Sequence, residues 1–198
     1  MTDYTWPAAI IPASSEWRLI SNTAVFSSPM SGTTRTVSRG GDRWACSVTT
    51  PPLKGANRQT MRAFLANLRG QASRVVLSDH SYVRRGTQAA NVLVMGAAET
   101  GSTLHVDAAT VSATLLTGDL FTLGGYLYMV TADATANGSG QMTLSIVPPL
   151  RSTPADNAAV TITTPTARFL LTGNSVGWNN VPGGISSFAC EFVEDIAV

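Results

Sequence analysis

Hydrophobic and polar residues alternate in short runs along most of this chain, with the period of two that is typical of β-strands. The clearest run is 43–50, where Trp44, Cys46 and Val48 fall on one side. Comparable runs predict further strands at 17–20, 24–26, 33–39, 74–77, 91–95, 103–106, 119–123, 126–131, 142–147, 160–163, 167–171 and 187–193. Gly124-Gly125 between two of these runs predicts a two-residue hairpin turn. The pattern therefore predicts a mainly β protein.

One segment has the helical period instead. Residues 56–69 are expected to form a single α-helix, because apolar residues recur there at i, i+3, i+4 and i+7. These residues are Met61, Phe64, Leu65 and Leu68. Gly70 follows, at a position where a left-handed residue commonly ends a helix. We expect this helix to pack its apolar stripe on a sheet.

Basic residues are distributed unevenly along the chain. Residues 1–90 hold 11 Lys and Arg against 4 acidic residues, whereas no lysine or arginine lies between Arg85 and Arg151. The gap holds about five of the predicted strands, which is the content of a small β-barrel. We therefore predict a barrel domain at 91–151, inserted into a discontinuous domain made of residues 1–90 and 152–198.

The two cysteines have similar surroundings. Cys46 lies in Trp44-Ala45-Cys46-Ser47-Val48 and Cys190 in Phe188-Ala189-Cys190-Glu191-Phe192. The similarity predicts two adjacent strands that bring both parts of the discontinuous domain into one sheet. Because the cysteines lack the spacing of a metal or redox motif, we expect them to be buried small hydrophobic residues.

Composition indicates a protein that hides part of its surface. Only 13% of the residues are charged, against roughly 25% in typical globular proteins, so we expect other subunits to cover some of the chain. The net charge of +1 does not suggest a nucleic-acid binder. The start of the chain lacks the basic and apolar regions of a signal peptide, and no run approaches the roughly 20 apolar residues of a membrane span. We expect a chain made in the cytoplasm, without membrane insertion.

Candidate chemistry is sparse. His80 and His105 stand alone, and Asp79-His80-Ser81 reads as a polar turn, since a catalytic triad requires a spatial arrangement that adjacent residues do not give. Three aspartates of the middle segment could form a calcium or carbohydrate site, but they do not fit a calcium-loop motif, and solvated turn positions are the simpler interpretation. They are Asp107, Asp119 and Asp133. We expect no catalytic residue, no metal and no cofactor.

A series of short motifs, in a particular order, resembles a known family. The motifs are Trp6-Pro7, Trp17, Phe26-Ser27-Ser28-Pro29-Met30-Ser31-Gly32, Trp44, Phe64-Leu65-Ala66-Asn67-Leu68-Arg69-Gly70, Val75-Val76-Leu77-Ser78-Asp79, Leu116-Thr117-Gly118-Asp119-Leu120-Phe121, Gly125-Tyr126-Leu127-Tyr128, Gly140-Gln141-Met142-Thr143-Leu144, Pro148-Pro149-Leu150-Arg151, Phe169-Leu170-Leu171, Trp178 and Phe188-Ala189-Cys190-Glu191-Phe192. In order and spacing they are similar to the tail proteins of long-tailed bacteriophages, in particular the distal tail protein of the tail tip. The resemblance covers nearly the whole chain.

The resemblance implies a structural role in the virion. It implies a tail-tube-like β-sandwich with one flanking α-helix, an added β domain, and assembly into a ring, usually a hexamer. Such a ring joins the tail tube protein to the baseplate hub and other tail-tip proteins, and DNA passes through its channel. The family brings no catalytic residues. It implies assembly in the host cytoplasm and a final location in the phage tail tip.

The sequence leaves two other functions open. The barrel could bind a carbohydrate or host receptor, an alternative suggested by its aspartates and by Tyr126 and Tyr128 in one hairpin. An enzyme such as a peptidoglycan hydrolase is less well supported, since no paired acid or metal cluster is found.

Charged residues of the first part and the C-terminal part are the candidate contacts between subunits. A conduit that bound DNA tightly would hinder its passage, so we expect the arginines to face neighbouring subunits or solvent and not the channel. Acidic residues near the C-terminus would supply their partners. The candidates are Arg35, Arg39, Arg43, Arg58, Arg62, Glu191, Glu194 and Asp195.

Overall fold

The computed structural model describes residues 1–196. The strands in chain order are β1 (Asp3–Thr5), β2 (Ser14–Ile20), β3 (Thr23–Ser27), β4 (Thr34–Ser38), β5 (Arg43–Thr49), β6 (Arg74–Leu77), β7 (Val92–Val94), β8 (Thr103–Asp107), β9 (Thr114–Leu115), β10 (Leu120–Leu123), β11 (Tyr126–Val130), β12 (Ala134–Thr135), β13 (Met142–Val147), β14 (Ala159–Thr161), β15 (Ala167–Leu171), β16 (Asn179–Val181), β17 (Ile185–Ser187) and β18 (Ala189–Glu194). The α-helix α1 spans Gly55–Leu68, and a short 3-10 helix follows at Gly70–Ala72. The prediction of a mainly β protein with one α-helix is confirmed for the described residues.

The larger sheet has six strands in the order β1-β6-β15-β18-β5-β2. β1 and β6 are parallel, and the remaining neighbours are antiparallel. The two cysteine-containing strands, β5 and β18, are direct neighbours, and Cys46 lies opposite Phe192. The predicted pairing of these strands is therefore confirmed, and it joins residues from both parts of the chain in one sheet.

Helix α1 covers one face of this sheet. Its apolar stripe packs with inward residues of β6, β15 and β18 in one hydrophobic core. The members from α1 are Met61, Phe64, Leu65 and Leu68. The helix ends at Leu68, and the next two residues are both left-handed, with φ of +50° at Arg69 and +66° at the predicted Gly70. A Cβ at this position would also lie 2.8 Å from the Cα of Asn174, so glycine suits both the backbone conformation and the close approach.

The other unit is a closed barrel with the order β10-β11-β13-β8-β7-β14. Its interior is filled by a second hydrophobic core, with fully buried Leu104, Phe121 and Leu144 at its centre. The turn Gly124-Gly125 joins β10 to β11, and both glycines have positive φ, as a two-residue hairpin turn requires. This predicted turn is confirmed.

The predicted end of the barrel at residue 151 needs correction. β14 lies beyond it, and this strand pairs with β10 on one side and with β7 on the other. The strand at 160–163 was predicted, but it was assigned with residues 152–198 to the other domain. Without β14 the barrel would leave β7 and β10 as open edges, so closing the sheet removes two sets of unpaired backbone groups. The barrel therefore extends to at least Thr161.

Three small two-stranded elements complete the described fold, and one of them pairs β9 with β12. β16 and β17 form a hairpin beside α1, and Leu53 bridges to Ser186 there. β3 and β4 form a second hairpin, which pairs with no other strand. In the described part of the chain, no helix combines the length and the apolar character needed to cross a membrane.

Candidate functional site

The β3–β4 hairpin is exposed along both strands, and Ala24 is the one half-buried residue in them. Directly opposite residues of a hairpin share a face, so Phe26 lies beside Arg35, and Ala24 beside Val37. Phe26 is 56% exposed and Val37 is 49% exposed, and neither belongs to one of the two hydrophobic cores. One face of the hairpin is thus apolar, carries an arginine and is open to solvent.

The base of this hairpin is held firmly. The backbone N–H of Asn22 donates to Asp42 Oδ1 at 2.8 Å, and its side-chain amide donates to the Gly40 carbonyl at 2.8 Å. The Arg39 N–H donates to the Asn22 carbonyl at 2.9 Å. Because three hydrogen bonds converge on one residue, the hairpin leaves the sheet in a defined direction.

Three of the predicted contact residues, Arg35, Arg39 and Arg43, lie on or next to this hairpin. All three are exposed, and none forms an ion pair with a described residue. Their guanidinium groups are therefore available to another molecule.

The two predicted helix arginines have partners within the chain. The Arg62 guanidinium lies over the Trp178 ring, 5.2 Å from its centroid, and donates to Asn180 Oδ1. Arg58 lies beside Gly184 of the β16–β17 hairpin. Both side chains are half-buried, and their Nε atoms are buried without a hydrogen-bond partner among the described residues. This pair ties α1 to the small hairpin instead of projecting from the surface.

Glu194 is part of the junction between the sheet and the barrel. Its carboxylate is fully buried and accepts two hydrogen bonds from the Arg151 guanidinium, each at 2.7 Å. It also accepts the backbone N–H of Trp44 at 2.9 Å and that of Leu127 at 3.0 Å. The carboxylate thus joins the sheet strand β5 to the barrel strand β11. The expectation that Glu194 meets an arginine of another subunit is corrected, because its partner belongs to the same chain.

Arg151 completes this junction. Its guanidinium donates to the Asp42 carbonyl and lies 5.1 Å and 5.8 Å from the ring centroids of Tyr126 and Tyr128. Sequence reasoning gave this residue no role, although its position as the first basic residue after the long gap was a usable signal. A buried guanidinium that contacts both units indicates a fixed arrangement of barrel and sheet.

The remaining acidic candidates differ in exposure. Asp195 is buried and forms an ion pair with Arg74 of β6, so it too is engaged within the chain. Glu191 is exposed on the outer face of β18 and forms no ion pair with a described residue. Of the three acidic candidates, Glu191 alone is open to a partner.

Tyr126 and Tyr128, which suggested a carbohydrate site, are part of the junction. Tyr128 is 1% exposed and stacks on Phe121 at a centroid distance of 5.5 Å. Burial raises the pKa of the Tyr128 hydroxyl above its usual value. Its ring is therefore closed to a glycan.

Two of the three barrel aspartates, Asp119 and Asp133, differ in burial and in their hydrogen-bond partners. Asp119 is 1% exposed and accepts backbone N–H groups of Arg85, Gly86 and Leu116 at 2.8–2.9 Å, so its expected place on a solvated turn is corrected. Asp133 is exposed and accepts the Thr117 N–H and hydroxyl, which lower the pKa of its carboxyl. Within residues 1–196, no group of three or more His, Cys, Asp or Glu side chains could hold a metal ion.

The histidines and cysteines show no catalytic arrangement in the described structure. Asp79 accepts hydrogen bonds from the Ser81 N–H and hydroxyl, which confirms the predicted polar turn around His80. His105 Nδ1 lies 2.7 Å from Glu99 Oε1 on the barrel. Cys46 and Cys190 are free and buried, as predicted. Burial is the main cause that raises the pKa of Cys46 to about 12 and that of Cys190 to about 11, which favours the protonated thiols at neutral pH.

A groove of about 550 Å³ lies at the outer face of the sheet, beside the loop 172–177. Glu16, Ser47 and Glu191 form a row across it, since Ser47 is paired with Glu16 on one side and with Glu191 on the other. The groove is lined by Glu16, Ser47, Val48, Thr49, Leu171, Thr172, Gly173, Ser175, Val176, Gly177, Ala189, Cys190 and Glu191. It therefore combines apolar side chains with an acidic rim. This groove and the β3–β4 hairpin are the two candidate surfaces for binding.

Comparison with known protein families gives no matching family model, and comparison with curated proteins gives no significant match.

Proposed function

We propose that this protein is a structural component of a bacteriophage tail tip, where it forms a homo-oligomeric ring, most simply a hexamer. In this proposal the six-stranded sheet with α1 is the ring-forming unit and corresponds to the tail-tube-like β-sandwich with its flanking helix. The ring joins the tail tube protein to the baseplate hub and to other tail-tip proteins. DNA passes through the channel, and the ring is assembled in the host cytoplasm.

The observation that carries the proposal is the open β3–β4 hairpin. It presents Phe26 and Val37 to solvent, together with arginines that form no ion pair with a described residue, outside the two hydrophobic cores. Exposed apolar patches of this kind commonly mark contacts with other proteins. A protein that assembles through such an element needs no catalytic group.

The fixed junction between the two units adds support. A ring component catalyses no reaction, but it must hold a peripheral domain at a defined angle to the ring. The buried pair of Arg151 and Glu194 supplies such a hold. The Glu194 carboxylate accepts from both the sheet and the barrel, and the Arg151 guanidinium donates to the Asp42 carbonyl and lies over the Tyr126 ring of the barrel. In this proposal the barrel lies outward from the channel. Its lack of lysine, and of arginine before Arg151, fits a module that does not contact DNA.

The location in the tail tip is tested by immunogold electron microscopy of phage particles that carry this protein. We expect gold particles at the end of the tail distal to the capsid. Antibodies raised against the barrel, residues 91–161, and against the β3–β4 hairpin should differ, since the hairpin is covered in the assembly. Labelling along the whole tail, or only at the capsid, would contradict the proposal.

A further inference from the structure

Apart from the hydrogen bonds at its base, the β3–β4 hairpin packs into neither hydrophobic core of its own chain. Two strands of five residues each form it, and an isolated two-stranded hairpin is at best marginally stable in water. Its apolar face carries Phe26 and Val37, and Met30 at the tip is 98% exposed. Further packing on this face would stabilise the hairpin, and no described residue of the same chain provides it.

The groove has the complementary chemistry. Exposed Ala189 and half-buried Val176 contribute apolar surface to it, and the carboxylates of Glu16 and Glu191 lie at its rim. The hairpin face offers Phe26 and Val37 for the apolar part and Arg35 for the carboxylates. No acidic residue lies between Glu16 and Asp42, so the hairpin is uniformly basic where it is charged.

The two surfaces lie at opposite ends of one strand. The hairpin follows Ile20, at the end of β2 where this residue is paired with Arg43. The groove lies toward the other end, where Ser14 is paired with Thr49. Six residues of extended chain separate these ends by about 20 Å. The hydrogen bonds of Asn22 fix the base of the hairpin. None of the residues that line the groove of the single chain belongs to the hairpin.

We infer that the β3–β4 hairpin of one copy of this protein docks into the Glu16–Ser47–Glu191 groove of the next copy. Arg35 then lies against Glu191, and Phe26 covers the apolar part of the groove. Because the two surfaces are different and lie at opposite ends of the strand, the contact is head-to-tail, which generates a closed ring when the rotation per subunit closes. The inference rests on the proposed ring and names the interface that builds it.

Site-directed cross-linking tests this contact directly. The variants Thr34→Cys on the hairpin and Ser175→Cys on the groove loop place one exposed thiol on each surface, and the native cysteines are buried. A short bifunctional maleimide should cross-link neither variant alone. A mixture of the two should give dimers, and the double variant should give a ladder up to the size of the ring. Self-cross-linking of one single variant, or a double variant that stops at dimers, would overturn the inference.

Charge reversal supplies an independent readout. We expect Arg35→Glu and Glu191→Arg each to raise the dissociation constant of the assembly ~10-fold or more, since like charges then face each other. The double variant should regain most of the loss, which a fold defect would not allow. Lys54→Glu, an equal charge change on an exposed residue outside both surfaces, is the matched control and should leave assembly unchanged.

The outcomes separate this interface from the proposed ring. A ring that forms normally in both charge-reversed variants overturns the hairpin–groove contact and leaves the proposed function standing. A chain that stays monomeric at all concentrations overturns both. Loss of assembly in Arg35→Glu without rescue by Glu191→Arg shows that the hairpin binds elsewhere, and this also overturns the inference.

Discussion

The buried carboxylate of Glu194 should be among the most sensitive single positions for stability. It accepts four hydrogen bonds, two from Arg151 and one each from the backbone of Trp44 and Leu127. Glu194→Gln removes the charge and one of the two acceptor oxygens, and it leaves the Arg151 guanidinium buried without its counter-ion. Breaking a buried ion pair from one side costs about 3–5 kcal/mol. For a chain of this length each kcal/mol lowers Tm by about 2–4 °C, so the expected loss is roughly 6–20 °C.

Differential scanning calorimetry and circular dichroism measure this effect. Asp3→Asn is the control, because Asp3 is exposed and its partner, Arg168 Nε at 3.0 Å, is about half exposed. An exposed pair of this kind contributes about 0–1 kcal/mol. If Glu194→Gln lowers Tm no more than Asp3→Asn does, the reasoning about the junction is refuted.

Three further results are expected. Native protein should not react with a thiol reagent at pH 8, because burial raises the pKa of Cys46 and Cys190. Protein unfolded in urea should react at both cysteines. Fast labelling of the native protein would contradict the burial of these thiols. Because the raised pKa favours the protonated thiols in the folded state, their contribution to the free energy of unfolding should be complete below about pH 9, the pKa of the unfolded state. This contribution should decline as the pH rises toward 11–12. A series of urea titrations in which the free energy of unfolding rises over this range would contradict the expectation. Gly86→Ala should destabilise the protein by ~2 kcal/mol or more, since a Cβ there would lie 2.3 Å from the Thr114 carbonyl oxygen, while Gly138→Ala, which meets nothing within 4 Å, should have little effect in the same urea titration.

Local patterns were sufficient to predict the α-helix and the longer strands of this fold, but not the short strands β1, β9, β12 and β16. Alternation around Cys46 and Cys190 predicted two strands and their pairing, and the apolar stripe at Met61–Leu68 predicted the helix to within a residue or two. The Gly124-Gly125 turn followed from the need for positive φ at both positions. These features depend on residues close in sequence, or on two segments with nearly the same pattern.

The pairing of strands and side chains that are far apart in the sequence could not be predicted from such local patterns. The strand near Val160 was predicted, but an alternating run does not state which sheet it joins, and the closure of the barrel decides this. The burial of Asp119 and Glu194 depends on hydrogen bonds from backbone N–H groups of distant segments. The local sequence shows only a charged residue near a turn or near the end of the chain, which predicts exposure to solvent. The predicted contact residue Arg35 of the β3–β4 hairpin is exposed, whereas Arg62 lies over Trp178, more than one hundred residues away in sequence.

The mass and shape of the assembled protein test the central claim most directly. Native mass spectrometry and cryo-electron microscopy of the purified chain should show a closed ring, most simply six copies of the 20.7 kDa chain, with a central channel wide enough for duplex DNA. The barrels should lie outside this channel, and the β3–β4 hairpins should lie between neighbouring subunits. A stable monomer at all concentrations, or a compact oligomer without a channel, would contradict the account.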